Sequence, residues 1–235
     1  MSTLGVPNIV KCPGCGQLLE EMRLTSGNTL YARFWSDAKT EAPMMPRVPF
    51  IIKCPECGEI FLPSKHYHKL EADNNILSKF HAFWNDGEED WMSRREQDYR
   101  EQAHISAMNL PDTMNCRLGF HDAVRAFDMI GGKSSAYMLI WHTYNDFYRE
   151  GRPEEAKQAE EIFRTFTDGL FGVLDQSEND TLLRAEFHRE LGGFRECMDI
   201  LDNYPFRDRY VRLAEQVKAK AINGETEVFC FDMEG

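Results

Sequence analysis

The chain has 235 residues, of which 42% are hydrophobic, 28% charged and 12% aromatic, and its net charge is −12 at pH 7. This composition is too apolar and aromatic for a disordered chain, and no apolar run approaches the ~18 residues that would span a bilayer. Because proteins that bind nucleic acid through its phosphates carry a basic excess, the negative charge counts against nucleic acid as the main partner. The first ten residues lack a basic and apolar leader segment, so we expect a cytoplasmic protein without a signal peptide.

Composition divides the chain near Pro63. Residues 1–63 hold six basic and six acidic side chains, seven of the ten prolines and short β-rich runs, whereas residues 64–235 hold 21 basic and 33 acidic side chains and long helix-forming stretches. We therefore predict an α+β protein. A small β-rich module covers residues 1–63, linking helices cover 64–105, and a larger helical module with a short C-terminal strand covers 106–235.

Two near-identical cysteine motifs are the first chemical feature along the chain. Cys12-Pro13-Gly14-Cys15-Gly16 and Cys54-Pro55-Glu56-Cys57-Gly58 each follow two apolar residues and a lysine. Two thiolates at i and i+3 of a tight turn can face one ion, because the proline fixes φ and the glycine permits the positive φ that turns the chain away. The four sulfurs that a tetrahedral zinc ion prefers, at about 2.3 Å each, are then those of Cys12, Cys15, Cys54 and Cys57.

The repeated Cys-Pro-x-Cys-Gly pattern resembles a zinc ribbon. The resemblance implies a small β-rich fold in which one ion holds two cysteine turns together. With four protein ligands such a site has no position for a substrate water, so we expect a structural ion. Iron in a rubredoxin-like site uses the same ligands, but the wide spacing favours zinc. The 38 residues between Cys15 and Cys54 exceed the usual spacing and predict an inserted hairpin.

An aromatic and basic face lies within this insert. In the alternating run Leu30–Trp35, one side carries Tyr31, Arg33 and Trp35. Such a face could stack bases or cover a peptide, which makes these three residues a candidate binding face. The alternative, which we favour, is that the rings pack on the helical module.

Three segments of the helical module share one pattern. Each has a glycine at a helix end and, about four residues later, an acidic residue followed by a small one, which is Ala123, Ala156 or Cys197. The small positions are 33 and 41 residues apart. This pattern resembles tetratricopeptide repeats, whose period is about 34 residues. The resemblance implies stacked helix pairs with a concave surface that binds peptides, and a generic helical bundle is the alternative.

The two resemblances together imply a bacterial zinc-ribbon protein with tetratricopeptide-like repeats. We predict a non-enzymatic adaptor in which structural zinc holds the first module and the helical module binds a protein partner. The acidic charge favours a basic partner. A nucleic-acid-binding zinc-ribbon protein is one alternative. An enzyme with a site between the modules is another, although the chain carries no H-E-x-x-H, G-x-S-x-G or G-x-G-x-x-G motif.

Overall fold

The computed structural model describes residues 3–45, 47–68, 102, 105–106 and 108–233. The chain forms two compact units, each built from two separate stretches of sequence. The first unit combines Met1–Leu30 with Ala42–Leu118, and the second combines Tyr31–Glu41 with Gly119–Gly235.

This division differs from the predicted boundaries at residues 63 and 105. Residues 31–41, expected in the β-rich module, belong to the unit that contains the helices, and the first unit extends to Leu118. The predicted linking helices at 64–105 fall largely outside the described residues.

The first unit is built from short antiparallel strand pairs. Its strands, as far as the structure describes them, are β1 (Thr3–Leu4), β2 (Asn8–Lys11), β3 (Leu18–Glu21), β4 (Leu24–Ser26), β7 (Ile52–Lys53) and β8 (Ile60–Phe61). Strand β1 pairs with β4, β2 with β3, and β7 with β8. The described residues of this unit also form two 3₁₀ turns, Pro63–Lys65 and Thr113–Asn115.

The core of the first unit surrounds the cysteine motifs. Its buried cluster joins apolar residues of β2, β3, β7 and β8 to three cysteines, and it consists of Val10, Cys12, Leu19, Ile52, Cys54, Phe61 and Cys116. Val10 lies opposite Leu19 in the β2–β3 register, and Ile52 lies opposite Phe61 in the β7–β8 register. Each cysteine motif therefore connects two strands that contribute to the same core.

The second unit is helical. The described residues form the helices α1 (Phe120–Ile130), α2 (Ser134–Arg149), α3 (Pro153–Arg164), α4 (Thr167–Val173), α5 (Glu178–Glu190), α6 (Phe194–Asn203) and α7 (Arg209–Ile222). Strands β5 (Arg33–Phe34) and β6 (Thr40–Glu41) form an antiparallel hairpin in the same unit. The predicted α+β class is confirmed. No helix among the described residues has both the length and the apolar character needed to cross a membrane.

Two apolar clusters hold the helices together. The first centres on α2, whose Ile140, Trp141, Tyr144 and Phe147 pack with residues of α1, α3, α4 and α5. The second joins α5, α6 and α7 and contains Leu182, Ala185, Cys197, Leu201, Ala214, Val217 and Ala221. Buried side chains on several faces of α2 make it the central helix of the first cluster.

The three small positions of the repeat pattern all lie inside these clusters. Ala123, Ala156 and Cys197 each have 0% of their surface exposed. A small side chain lets two helix backbones approach closely, which accounts for these residues at helix contacts. That reason applies to any tightly packed helix pair, so the tetratricopeptide assignment stays a prediction.

Candidate metal centre

Four cysteine sulfurs converge in the first unit. The Sγ atoms of Cys12, Cys15, Cys54 and Cys57 lie within 4.8 Å of one another. The Cys12–Cys57 distance is 3.6 Å and the Cys15–Cys54 distance is 3.7 Å. Four sulfurs placed tetrahedrally at about 2.3 Å from a zinc ion are separated by about 3.8 Å. The cluster therefore has the donor set and the spacing that could hold one metal ion.

The two motifs fold in the same way because their sequences are nearly the same. The N–H of Gly16 donates to the carbonyl of Cys12 at 3.0 Å, and the N–H of Gly58 donates to the carbonyl of Cys54 at 2.9 Å. Both glycines have the positive φ that the sequence predicts, +80° and +76°. A side chain at either position would be strained, so the glycines fix the direction in which the chain leaves each turn.

Backbone N–H groups point at the sulfurs in both motifs. Cys12 and Cys54 each accept hydrogen bonds from the N–H groups two and three residues further along the chain. Burial raises the pKa of the Cys54 thiol in spite of these bonds. Burial also raises the pKa of Cys12, but the N–H donors and the neighbouring cysteines outweigh it and lower that pKa overall. N–H donors of this kind stabilise a thiolate, which is the form that binds metal.

The cluster has a buried side and an exposed side. Cys12 and Cys54 are buried, whereas Cys15 and Cys57 are exposed. Solvent can therefore reach the cluster past the second cysteine of each motif, while the first cysteine anchors it in the core.

A lysine accompanies each motif. A Cβ atom at Gly16 would lie 3.6 Å from Cε of Lys11, and one at Gly58 would lie 3.7 Å from Cε of Lys53. Each lysine stem therefore runs over the turn it precedes. Four thiolates around a divalent ion carry a formal charge of −2, so a cation beside each turn offsets part of that charge.

A fifth cysteine lies near the cluster but is not part of it. Cys116 is buried, and its thiol donates to the carbonyl of Asp112 at 3.4 Å. Burial, followed by the charges of Cys54 and Asp112, raises the pKa of the Cys116 thiol. The Cys116 carbonyl accepts from the N–H of Lys53 at 2.9 Å, a contact between distant parts of the chain that no local motif indicates.

The predicted aromatic face belongs to the helical unit. Tyr31 is 80% exposed and has φ of +60°, so it does not continue strand β5. Arg33 pairs with Glu41 at 2.9 Å. The guanidinium of Arg149, on α2, lies over the Trp35 ring at 4.9 Å from its centre. One face of Trp35 is thus covered by Arg149 of α2, whereas Tyr31 is exposed, so the binding role of these three residues stays a prediction.

The hairpin between β5 and β6 carries a buried charge that the sequence did not reveal. Asp37 is 0% exposed and forms an ion pair with Arg149. Its carboxylate also accepts from the Asn145 side chain at 3.1 Å, and its backbone oxygen lies 2.9 Å from His142 Nε2. Arg149 pairs with Asp146 as well, at 2.8 Å. The sequence gives no signal for this site, because its partner residues are more than 100 positions away from Asp37.

Glu190 extends this polar cluster. Its carboxylate accepts from Trp141 Nε1 at 2.6 Å and from the Asn145 side chain at 3.1 Å. Burial, together with the charges of Glu186 and Asp37, raises its pKa well above the ordinary value. The polar atoms of the cluster bond mainly to one another, which fits a structural role inside the helical unit.

Comparison of this chain with protein-family models, with curated proteins and with solved structures gave no match.

Proposed function

We propose that this protein is a non-enzymatic, zinc-binding interaction adaptor. One structural zinc ion, held by Cys12, Cys15, Cys54 and Cys57, stabilises the first unit, and the helical unit binds a protein partner. The convergence of the four sulfurs within 4.8 Å is the observation that carries the metal assignment.

An all-sulfur donor set supports zinc, and it also admits iron. A structural rather than catalytic ion follows from the ligand count, since four protein ligands leave no coordination position for substrate or water. The position of two ligands in the core supports the same role, because an ion that joins the cysteine turns also joins the strands that flank them. Because three of the seven residues in the described buried cluster of this unit are cysteines, a bound metal would contribute folding free energy directly to it.

The helical unit supports the interaction role. It carries 25 acidic and 16 basic side chains, a net charge of −9, whereas the first unit carries −3. At long range this charge favours a basic protein partner and repels nucleic acid. Several surface acids, such as Glu154 and Glu160, are already paired with cations on the same helix. Short-range contacts of a partner therefore need not be basic.

The metal assignment is tested by elemental analysis of protein purified without chelator. We expect one equivalent of zinc in the wild-type chain and well below one in the Cys57→Ser variant. Cys230→Ser is the matched control, because Cys230 is also exposed but lies outside the cluster. Stoichiometric iron would replace zinc in the proposal, and the absence of any stoichiometric metal would refute it.

The interaction role is tested separately by affinity purification of the tagged full-length chain from cells. We expect a stoichiometric protein partner that survives nuclease treatment. Submicromolar binding of an oligonucleotide at physiological salt would favour the nucleic-acid alternative instead.

A further inference from the structure

The last segment of the chain lies along the helical unit like a bound peptide. Helix α7 ends at Ile222, Gly224 beyond it has φ of +68°, and the N–H of Glu225 donates to the carbonyl of Lys220 at 3.1 Å. This turn reverses the chain direction. Residues 225–232, which we call the tail segment, then run back along α7.

Side chains of the helices hold the tail segment by its backbone. The guanidinium of Arg189, on α5, donates to the backbone oxygens of Glu225 and Glu227, the latter at 3.0 Å. The Gln216 side chain, on α7, accepts from the N–H of Asp232 at 2.8 Å and donates to the oxygen of the same residue at 3.0 Å. Both contacts recognise the main chain, so neither depends on which side chains the bound segment carries.

The β5–β6 hairpin holds the other edge of the tail segment. Phe231 N–H donates to the oxygen of Phe34 at 2.8 Å, and Ser36 N–H donates to the oxygen of Phe229 at 2.9 Å. Trp35 and Cys230 are an antiparallel bridge pair. The tail segment thus adds itself to a strand edge, as peptides do in β-augmentation.

At the end of the tail segment, from Phe229 to Asp232, alternate side chains enter the apolar surface. Phe229 and Phe231 pack against the cluster of α5, α6 and α7, whereas Cys230 and Asp232 are exposed. Val228, which precedes them, is also buried. The charged groups of Arg189 and Lys220 lie 5.2 Å and 5.6 Å from the centre of the Phe229 ring. Period-two insertion of side chains is what an extended peptide in a groove shows.

The groove is a built site rather than a chance surface. Arg189 and Glu186 are both 0% exposed, and Glu186 accepts from Arg189 Nε at 2.8 Å. The buried carboxylate holds the guanidinium in the orientation from which it reaches the two tail carbonyls. Such a pair is costly to bury and needs a specific arrangement to persist.

We propose that this groove is the partner-binding site of the helical unit, and that the tail segment occupies it as an internal ligand. The site takes an extended segment of a partner protein with aromatic side chains at alternate positions. Lys220, which bonds to Glu225 at 2.6 Å, and Arg212, 3.6 Å from Asp232, accommodate an acidic residue at each end. These contacts act at short range. The repulsion from the more distant acidic groups of the unit is weakened by salt, because the screening length is about 8 Å at physiological ionic strength. This inference rests on the interaction role proposed above.

The test uses a fluorescein-labelled peptide of residues 224–233 with serine in place of Cys230. It is titrated into the full-length chain that carries Phe229→Ser and Phe231→Ser, in which the internal ligand has lost its two anchors. We expect saturable binding by fluorescence anisotropy, at least about tenfold tighter than to the wild-type chain, because the intact tail competes at high effective concentration. The same peptide with serines in place of both phenylalanines should not bind.

Adding Gln216→Ala to the double variant removes both hydrogen bonds to Asp232 and should weaken binding about tenfold. Gln158→Ala is the matched control, since Gln158 is an exposed glutamine on α3, and it should leave the affinity unchanged. If the double variant keeps the circular dichroism of the wild type and shows no saturable binding up to about 1 mM peptide, the proposal is overturned.

A second measurement uses only the wild-type chain, so that the outcome does not depend on how the double variant folds. Excess unlabelled peptide should displace the tail segment and speed hydrogen exchange at the amides of Phe231 and Asp232 severalfold. Unchanged exchange would also overturn the proposal. Failure of both peptide experiments, together with a partner recovered by affinity purification, would place that partner elsewhere and leave the adaptor role intact.

Discussion

The buried ion pair between Asp37 and Arg149 makes a strong prediction about the helical unit. Asp37 comes from the hairpin between the cysteine motifs and Arg149 from α2, and their side chains are 0% and 4% exposed. We expect Arg149→Met to destabilise the helical unit more than Asp37→Ala does. The reason is what each change leaves behind.

Removal of Arg149 leaves a fully buried carboxylate that keeps hydrogen bonds from the Asn145 side chain and the Lys39 N–H, both at 3.1 Å, but has lost its paired cation. An uncompensated buried charge of this kind costs about 3–5 kcal/mol. Removal of Asp37 leaves the guanidinium bonded to Asp146 at 2.8 Å and to the His142 backbone oxygen at 3.0 Å. Because Asp146 is 26% exposed and can share the charge with solvent, this variant should lose about 2–3 kcal/mol.

The assay is urea unfolding of the full-length, metal-loaded chain, followed by far-UV circular dichroism. The double variant Asp37→Ala/Arg149→Met should lose less than the sum of the single variants by at least about 1 kcal/mol, since neither charge is then left alone. Arg125→Met is the matched control. Arg125 is 68% exposed and pairs with Asp122 at 3.3 Å, so we expect a change below about 0.5 kcal/mol. Additive losses, or a smaller loss for Arg149→Met than for Asp37→Ala, would refute the reasoning.

Two further predictions concern pH and metal removal. Burial lowers the pKa of His142 below 6.5, and the charges of Arg149 and Lys39 lower it further. The charge and the backbone oxygen of Asp37 act in the opposite direction but do not outweigh burial. Below pH 6.5 the unfolded chain therefore binds a proton that the folded His142 resists, so the free energy of unfolding should fall as pH drops from 6.5 towards the folded pKa. The variant His142→Gln should flatten this part of the pH profile, measured by urea unfolding. An unchanged profile would contradict the assignment. Chelation of the metal should speed hydrogen exchange in β2 and β3. Most of the helical circular dichroism should remain, because the helices have their own apolar clusters. Equal protection of β2 and β3 with and without metal would contradict a structural ion.

The cysteine cluster could be predicted from sequence because each of its two turns is determined locally and the repeated motif indicates that the two turns belong together. A proline, a glycine and two cysteines within five residues determine each turn, and Gly16 and Gly58 have the positive φ that the motif requires. The helical class could also be predicted, since helix-forming composition and apolar residues at helical spacing are local signals. Ala123, Ala156 and Cys197 are buried, as helix contacts require.

The hairpin and the tail segment could not be predicted in this way. Alternation in Leu30–Trp35 indicates a strand, but it does not indicate which unit receives it. That outcome depends on contacts such as Asp37 with Arg149 and Phe229 with Ser36, which join residues more than 100 positions apart. An aspartate at a hairpin tip looks like an ordinary turn residue in sequence, and its burial is a tertiary effect.

The length of the insert explains how residues 31–41 can belong to the helical unit although they lie between the two motifs of the cysteine cluster. Each cysteine turn is closed by its own hydrogen bonds, and of the 38 residues between Cys15 and Cys54 those in the surrounding buried cluster, Leu19 and Ile52, lie close to the two ends of the insert. Loop-closure entropy grows only with the logarithm of loop length, so this insert costs about 0.8 kcal/mol more than one of about 15 residues. Residues of the insert make a buried ion pair and a cation–π contact with Arg149 on α2, through Asp37 and Trp35. Breaking either contact costs a free energy of that size or greater. The middle of the insert can therefore pack in the helical unit at little free-energy cost to the cysteine cluster.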